Sequence, residues 1–129
     1  MEELEKLKRW IVGFPRWGEA ALTVDDTGAA PGSCGLFPLG VEQLRVREDV
    51  LGGKTLRLRQ KFLLRRRAIR GEDAAGWLLE LQNWAAAGDA PVFGADQRVR
   101  WEKGKLSGGS QTGTGLYEVY IIFEYTKGE

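Results

Sequence analysis

The chain has 129 residues and a formal net charge of +1, with 43% hydrophobic and 29% charged residues. That is the make-up of one ordinary globular domain spanning residues 1–129. It has no histidine and a single cysteine, Cys34, which excludes Ser-His and Cys-His nucleophile pairs, histidine-based metal sites and an intrachain disulfide.

Residues 2–12 place Leu4, Leu7, Trp10 and Ile11 at helical steps. Glu2, Glu3 and Glu5 suit the positive end of such a helix, Lys8 and Arg9 its second half, and Gly13 and Pro15 stop it. No signal peptide, transmembrane run or lipidation motif is visible, so a reducing cytoplasm is the expected setting. Residues 20–25 read as a short strand. The Gly/Pro-rich stretch 26–38 reads as a connection, and loops of this length are usually functional or ordered by a partner. Within it, Leu36 and Phe37 are expected to pin the loop to the core.

Residues 41–70 read as one long β-hairpin, and the rest of the chain is organised around it. On the return arm Leu56, Leu58, Phe62 and Leu64 share a face with Gln60. Arg57, Arg59, Lys61, Arg65 and Arg67 share the other, interrupted by Leu63 and Ile69. Residues 45–70 hold ten of the nineteen Lys/Arg against Glu48 and Asp49 alone, a local excess of +8, while the remainder carries −7. Charge segregated in this way favours self-association. Fully extended, residues 55–70 would reach about 50 Å, whereas a domain of this size spans about 36 Å. The Gly52-Gly53 end is therefore expected to project as an arm, with a bulge possible near residues 63–66. A two-residue turn would mix both faces. A three-residue turn, Leu51-Gly52-Gly53 with Gly53 left-handed, pairs Val46 with Leu58 and keeps one face apolar. It also sets Arg47 against Arg57 and Arg45 against Arg59, an opposition of like charges that costs stability unless another molecule neutralises it. Arg45, Arg47, Arg57, Arg59, Lys61, Arg65 and Arg67 are the candidate interface.

Residues 72–87 form the clearest helix, with Glu72 and Asp73 in its first turn and Gly88 closing it. Trp77, Leu78, Leu81 and Trp84 lie on its apolar stripe as core anchors, and Gly76 suggests close approach to the sheet. Residues 90–94 connect to a strand over 97–106 that carries Val99 and Trp101 on one face. A polar loop over 107–115 follows, and then a central strand over 116–126 with Tyr117, Val119, Ile121, Phe123 and Tyr125 on one face. The order implies an α+β fold: an antiparallel sheet of four to five strands, two helices on one face and the projecting hairpin.

Chemistry is sparse. Gly35 and Gly40 have the spacing of a phosphate loop, but Val41-Glu42 stands where Lys-Ser/Thr is required. Gly113 and Gly115 lack the third glycine of a dinucleotide motif, and Asp25-Asp26 reads as a turn pair. No catalytic, cofactor-binding or metal-binding residue is assigned, and the chain is read as a non-enzyme without cofactors. The arginine face resembles a phosphate-contact stripe. It lacks interleaved aromatics, and a near-zero net charge opposes free nonspecific DNA binding.

The segments GLFPLGVEQL, REDVLGGKTLRLRQKFLLRR, RGEDAAGWLLELQNW, APVFG and QTGTGLYEVYIIFEYTK, in this order, resemble small minor tail proteins of prophages of Gram-positive bacteria, of the tail-terminator kind found in long-tailed phages. The resemblance implies an α+β subunit that assembles as a homo-hexameric ring. Such a ring caps the tail tube, ends its polymerisation and joins tail to head. Expected partners are copies of itself, the tail-tube protein and a head-completion protein, with DNA passing through the ring and no membrane involved. The expected location is the bacterial host cytoplasm during assembly and then the virion tail. A lumen lined by so many cations would grip DNA that has to slide, so most of the cationic face is expected to meet acidic protein. The alternatives are a head-completion or minor capsid protein of the same gene module, and a nucleic-acid-binding accessory protein using the Arg-rich strand.

Overall fold

The structure, a computed structural model, describes residues 2–18, 21–28, 32–71, 73–88, 90–107 and 115–128. Residue 20 of the predicted first strand, residues 29–31 of the predicted connection, Glu72 and residues 108–114 of the polar loop lie outside them. The elements run α1 (Glu2–Val12), β1 (Leu22–Val24), β2 (Cys34–Glu48), β3 (Lys54–Arg67), α2 (Ala74–Ala87), β4 (Ala95–Ser107) and β5 (Leu116–Gly128). They build an α+β fold on one five-stranded sheet in the order β1-β2-β3-β5-β4.

The sheet is mixed, which corrects the expectation of a wholly antiparallel one. β1 runs parallel to β2, with Leu22 beside Cys34 and Val24 beside Leu36. The reason lies in backbone pairing at both ends of β1: the Cys34 amide donates to the Ala21 carbonyl at 2.8 Å and the Asp25 amide to the Leu36 carbonyl at 3.0 Å, so that β2 starts beside the start of β1. Residues 34–38 of the expected loop are therefore strand. Asp26 lies directly over β2: a Cβ on Gly35 would sit 2.6 Å from the Asp26 carbonyl oxygen and 2.7 Å from the Phe37 ring.

β3 lies in the middle, paired without interruption to β5 from Thr55–Gly128 to Arg67–Leu116. The expected irregularity near residues 63–66 is absent from it. The register shifts fall instead on β2, between Pro38 and Gly40 and between Gln43 and Arg45. The turn is five residues long rather than three. The Asp49 carboxylate accepts from the Leu51 and Gly53 amides at 2.9 and 2.8 Å, and the Asp49 amide donates to the Gly53 carbonyl at 2.8 Å. Gly52, at φ +86°, rather than Gly53 takes the left-handed conformation. Val46 consequently faces Leu56, Arg45 faces Arg57 and Arg47 faces Thr55. Over residues 45–48 this is a slide of two residues from the expected register, which leaves those side chains on their own faces; beyond the shift at Leu44 the slide is three, and residues 41–43 change face.

Both helices contribute to one core with the sheet face that carries Phe62, Leu64, Val119, Ile121 and Phe123. Trp10 stacks on Trp84 at 5.8 Å, Phe14 meets Trp77 edge-on at 5.6 Å, and Trp10 reaches Trp101 at 6.2 Å. Aromatic pairs in these arrangements favour the native packing beyond their area burial. Trp77, Leu78 and Leu81 are buried and Trp84 packs partly buried against them. Asp73 caps α2 from just outside its first turn, accepting from the Gly76 amide at 3.0 Å. That cap also explains Gly76: a side chain there would collide with the Asp73 carboxylate, so the glycine serves the cap and not an approach to the sheet.

Candidate assembly surface

The face of the sheet opposite the helices carries the cationic stripe, as alternation along β3 requires. Much of that stripe is engaged from within the chain, two of its arginines by carboxylates. Arg59 donates to Glu124 of β5 through Nε at 2.9 Å and Nη2 at 2.8 Å, and its Nη1 lies 3.4 Å from Glu42 of β2. The hydrogen bond from Arg59 holds the Glu124 carboxyl below its ordinary value, and the same bond pushes the Arg59 guanidinium up. Arg65 donates to Glu118 at 2.8 and 2.6 Å and lies over the Phe37 ring at 5.1 Å. Lys61 lies over Tyr120 at 5.6 Å. Arg57 donates to the Asp96 carbonyl at 2.9 Å and to Thr126 Oγ1 at 3.0 Å, and Arg67 to the Gly28 carbonyl at 2.9 Å.

Arg45 and Arg47, on the exposed arm of β2, are placed differently. They line an open cleft of about 650 Å³ with Arg57 and with Arg98, Asp96 and Glu124 from the far side of the sheet. The cleft is thus bordered by side chains from β2, β3, β5 and β4. Arg98 and Arg100 were missed in reading the sequence. The signal was present: Val99 and Trp101 pack on the core, so their strand neighbours must face the other way. Arg66 was also passed over. It is 3% exposed, its guanidinium stacks 4.0 Å over the Trp77 ring, and Nη1 donates to the Gly32 carbonyl at 3.1 Å. Its stem thus belongs to the core, an amphipathic use of arginine that its place in an Arg-Arg-Arg run conceals.

From Leu39 onward β2 is exposed on both faces. β1 covers the outer edge of β2 only at Cys34–Leu36. Among the described residues no strand lies beside residues 37–48 on that side. At the turn, Gly52 and Gly53 hold up Val50, 100% exposed, and Leu51, 93% exposed. An uncovered edge with apolar side chains on it is a template for another chain.

Among the described residues no group of three or more Cys, Asp or Glu is placed to hold a metal ion, and no helix is long and apolar enough to cross a membrane. No family model matches the chain, and no curated protein matches it.

Proposed function

We propose that the chain is a structural subunit of the tail-terminator kind, assembling as a homo-hexameric ring that caps a phage tail tube, ends its polymerisation and joins tail to head. The β2–β3 hairpin projects as the arm of that subunit. The observation that carries this reading is the turn, with Val50 and Leu51 exposed at its tip and an uncovered edge of β2 behind them; β5 pairs with β3 as far as Thr55. Large apolar side chains placed at a turn bring nothing to their own core, and they fit the surface of a neighbour. Carboxylates answer Arg59 and Arg65 and a tyrosine ring takes Lys61, which leaves the cleft of Arg45, Arg47 and Arg98 as the cationic ground on which acidic protein from a neighbouring subunit or the tail tube would dock. In this reading the chain works in the bacterial cytoplasm during assembly and then in the virion tail, and it has no catalytic role.

The same cleft favours a second reading, a nucleic-acid-binding accessory protein whose arginines contact phosphates without reading sequence. The resemblance also admits a head-completion or minor capsid protein. Light scattering of the purified chain across a salt series, with electron microscopy of the chain mixed with tail tubes, separates these. A terminator gives particles seated on tube ends, and Val50→Asp with Leu51→Asp removes them. Tube ends that stay bare overturn the reading, and a gel shift of duplex DNA lost with Arg45 and Arg98 supports the second one.

A further inference from the structure

The uncovered edge of β2 contains an inverted repeat of chemistry. Residues 41–46 read Val-Glu-Gln-Leu-Arg-Val, so that valine is matched by valine and glutamate by arginine about the midpoint between Gln43 and Leu44. In a regular strand Glu42 and Arg45, three residues apart, would point to opposite faces, as would Val41 and Val46, five apart. The register shift between Gln43 and Arg45 inserts Leu44 as an extra residue and reverses this. Glu42 now lies opposite Arg59 and Arg45 opposite Arg57, on one face, while Val41 lies opposite Gln60 and Val46 opposite Leu56, on the other.

We infer that this edge pairs with the same edge of a second copy. Two β2 strands laid antiparallel about that midpoint set Glu42 of each copy against Arg45 of the other on the cationic face. They set Val41 of each against Val46 of the other on the opposite face. Both valines are about half exposed in the single chain, at 55% and 47%, and Leu39, at 50%, flanks them. Arg45 lines the open cleft, and Glu42 has only a 3.4 Å contact with Arg59, its side chain 63% exposed. Pairing satisfies the backbone groups of the edge, covers the valines and gives Arg45 a carboxylate. Two five-stranded sheets become one of ten strands. The contact is isologous and closes after two copies, whereas a ring needs head-to-tail contacts. It therefore describes the free chain in solution, before any ring forms on a tube end, and it can fail while the ring reading stands.

The test is a charge exchange on the full chain, read by light scattering and sedimentation at micromolar concentration, with circular dichroism and the urea midpoint recorded for every variant. The wild type is expected at twice the 14.4 kDa chain mass. Arg45→Glu, at an exposed site, places carboxylate against carboxylate twice in the pair and should weaken association about tenfold or more. Glu42→Arg should do the same by opposing cations. The double variant restores both attractions in reversed polarity and returns the two-chain mass. A single-chain mass for the wild type, a six-chain mass unmoved by either single change, or a double variant as weak as the singles overturns the inference. Recovery in the double variant cannot arise from a contact with any surface other than this edge itself. The ring reading is scored separately, by tube-end binding and the tip variants.

Discussion

Phe62→Ala separates the part of β3 that holds the fold from the arm that does not. Phe62 is fully buried, edge-on to Phe123 at 5.9 Å and tilted toward Phe93 at 6.4 Å, and Phe93 in turn meets Phe123 at 4.7 Å. A buried phenyl removes about 150–250 Å² from water, worth about 4–6 kcal/mol at roughly 25 cal/mol per Å². Measured truncations of this kind cost about 3–5 kcal/mol. The expected loss is about 4 kcal/mol, a large share of the roughly 5–15 kcal/mol that stabilises a domain. With a urea slope of about 2 kcal/mol per M, the midpoint followed by tryptophan fluorescence should fall by about 2 M. Leu51→Ala removes a comparably apolar side chain from the exposed turn and should change stability by less than about 0.5 kcal/mol. A Phe62→Ala loss below about 1 kcal/mol, or a Leu51→Ala loss that matches it, would refute the division between core and arm.

Asp73→Ala deletes the cap that accepts from the Gly76 amide and should cost about 1 kcal/mol in the same urea titration, with Asp73→Ser recovering most of it. Gly35→Ala drives a methyl group into the Asp26 carbonyl. It should cost about 1–3 kcal/mol as overpacking, whereas alanine at Gly128, where a Cβ meets nothing within 4 Å, should be neutral. The folded-state carboxyl of Glu124 is held below its ordinary value by Arg59. Its contribution to stability is therefore present above the unfolded value near pH 4.5 and is lost as pH falls through the lower folded one. Urea midpoints measured from pH 7 down to pH 3 should show a decline that Glu124→Gln reduces. Tyr125 acts at the other end. Burial, with the charge of Glu3 adding to it, pushes its phenol up, so stability should begin to fall as pH rises past about 10, where the unfolded chain ionises first.

Much of the fold was legible in local patterns. The two helices, the five strands and the stripe of Trp77, Leu78 and Leu81 follow from apolar periods of 3.6 and 2, and those periods report which side of an element is dry. The cationic face of β3 was legible for the same reason. The period of two also explains why the turn's length did not disturb the faces of residues 45–48, which slide by two, whereas the extra residue Leu44 carries residues 41–43 to the other face. What selected five turn residues was the Asp49 carboxylate caging two amides, a contact with no periodicity to betray it.

Tertiary structure decided the rest, because those features depend on residues far apart in the chain. The parallel pairing of β1 with β2 turns on hydrogen bonds that tie Ala21 to Cys34 and Asp25 to Leu36, with Asp26 packed over Gly35. Whether an arginine is a free cation or a satisfied one depends on strands brought in from 50 or more residues away: Glu124 answers Arg59 and Glu118 answers Arg65. Sequence by itself determined which faces are dry and which are charged, since alternation is a local property. Only the assembled sheet determined which of those charges remain unanswered, because screening and pairing act through space and fall with distance rather than with position along the chain.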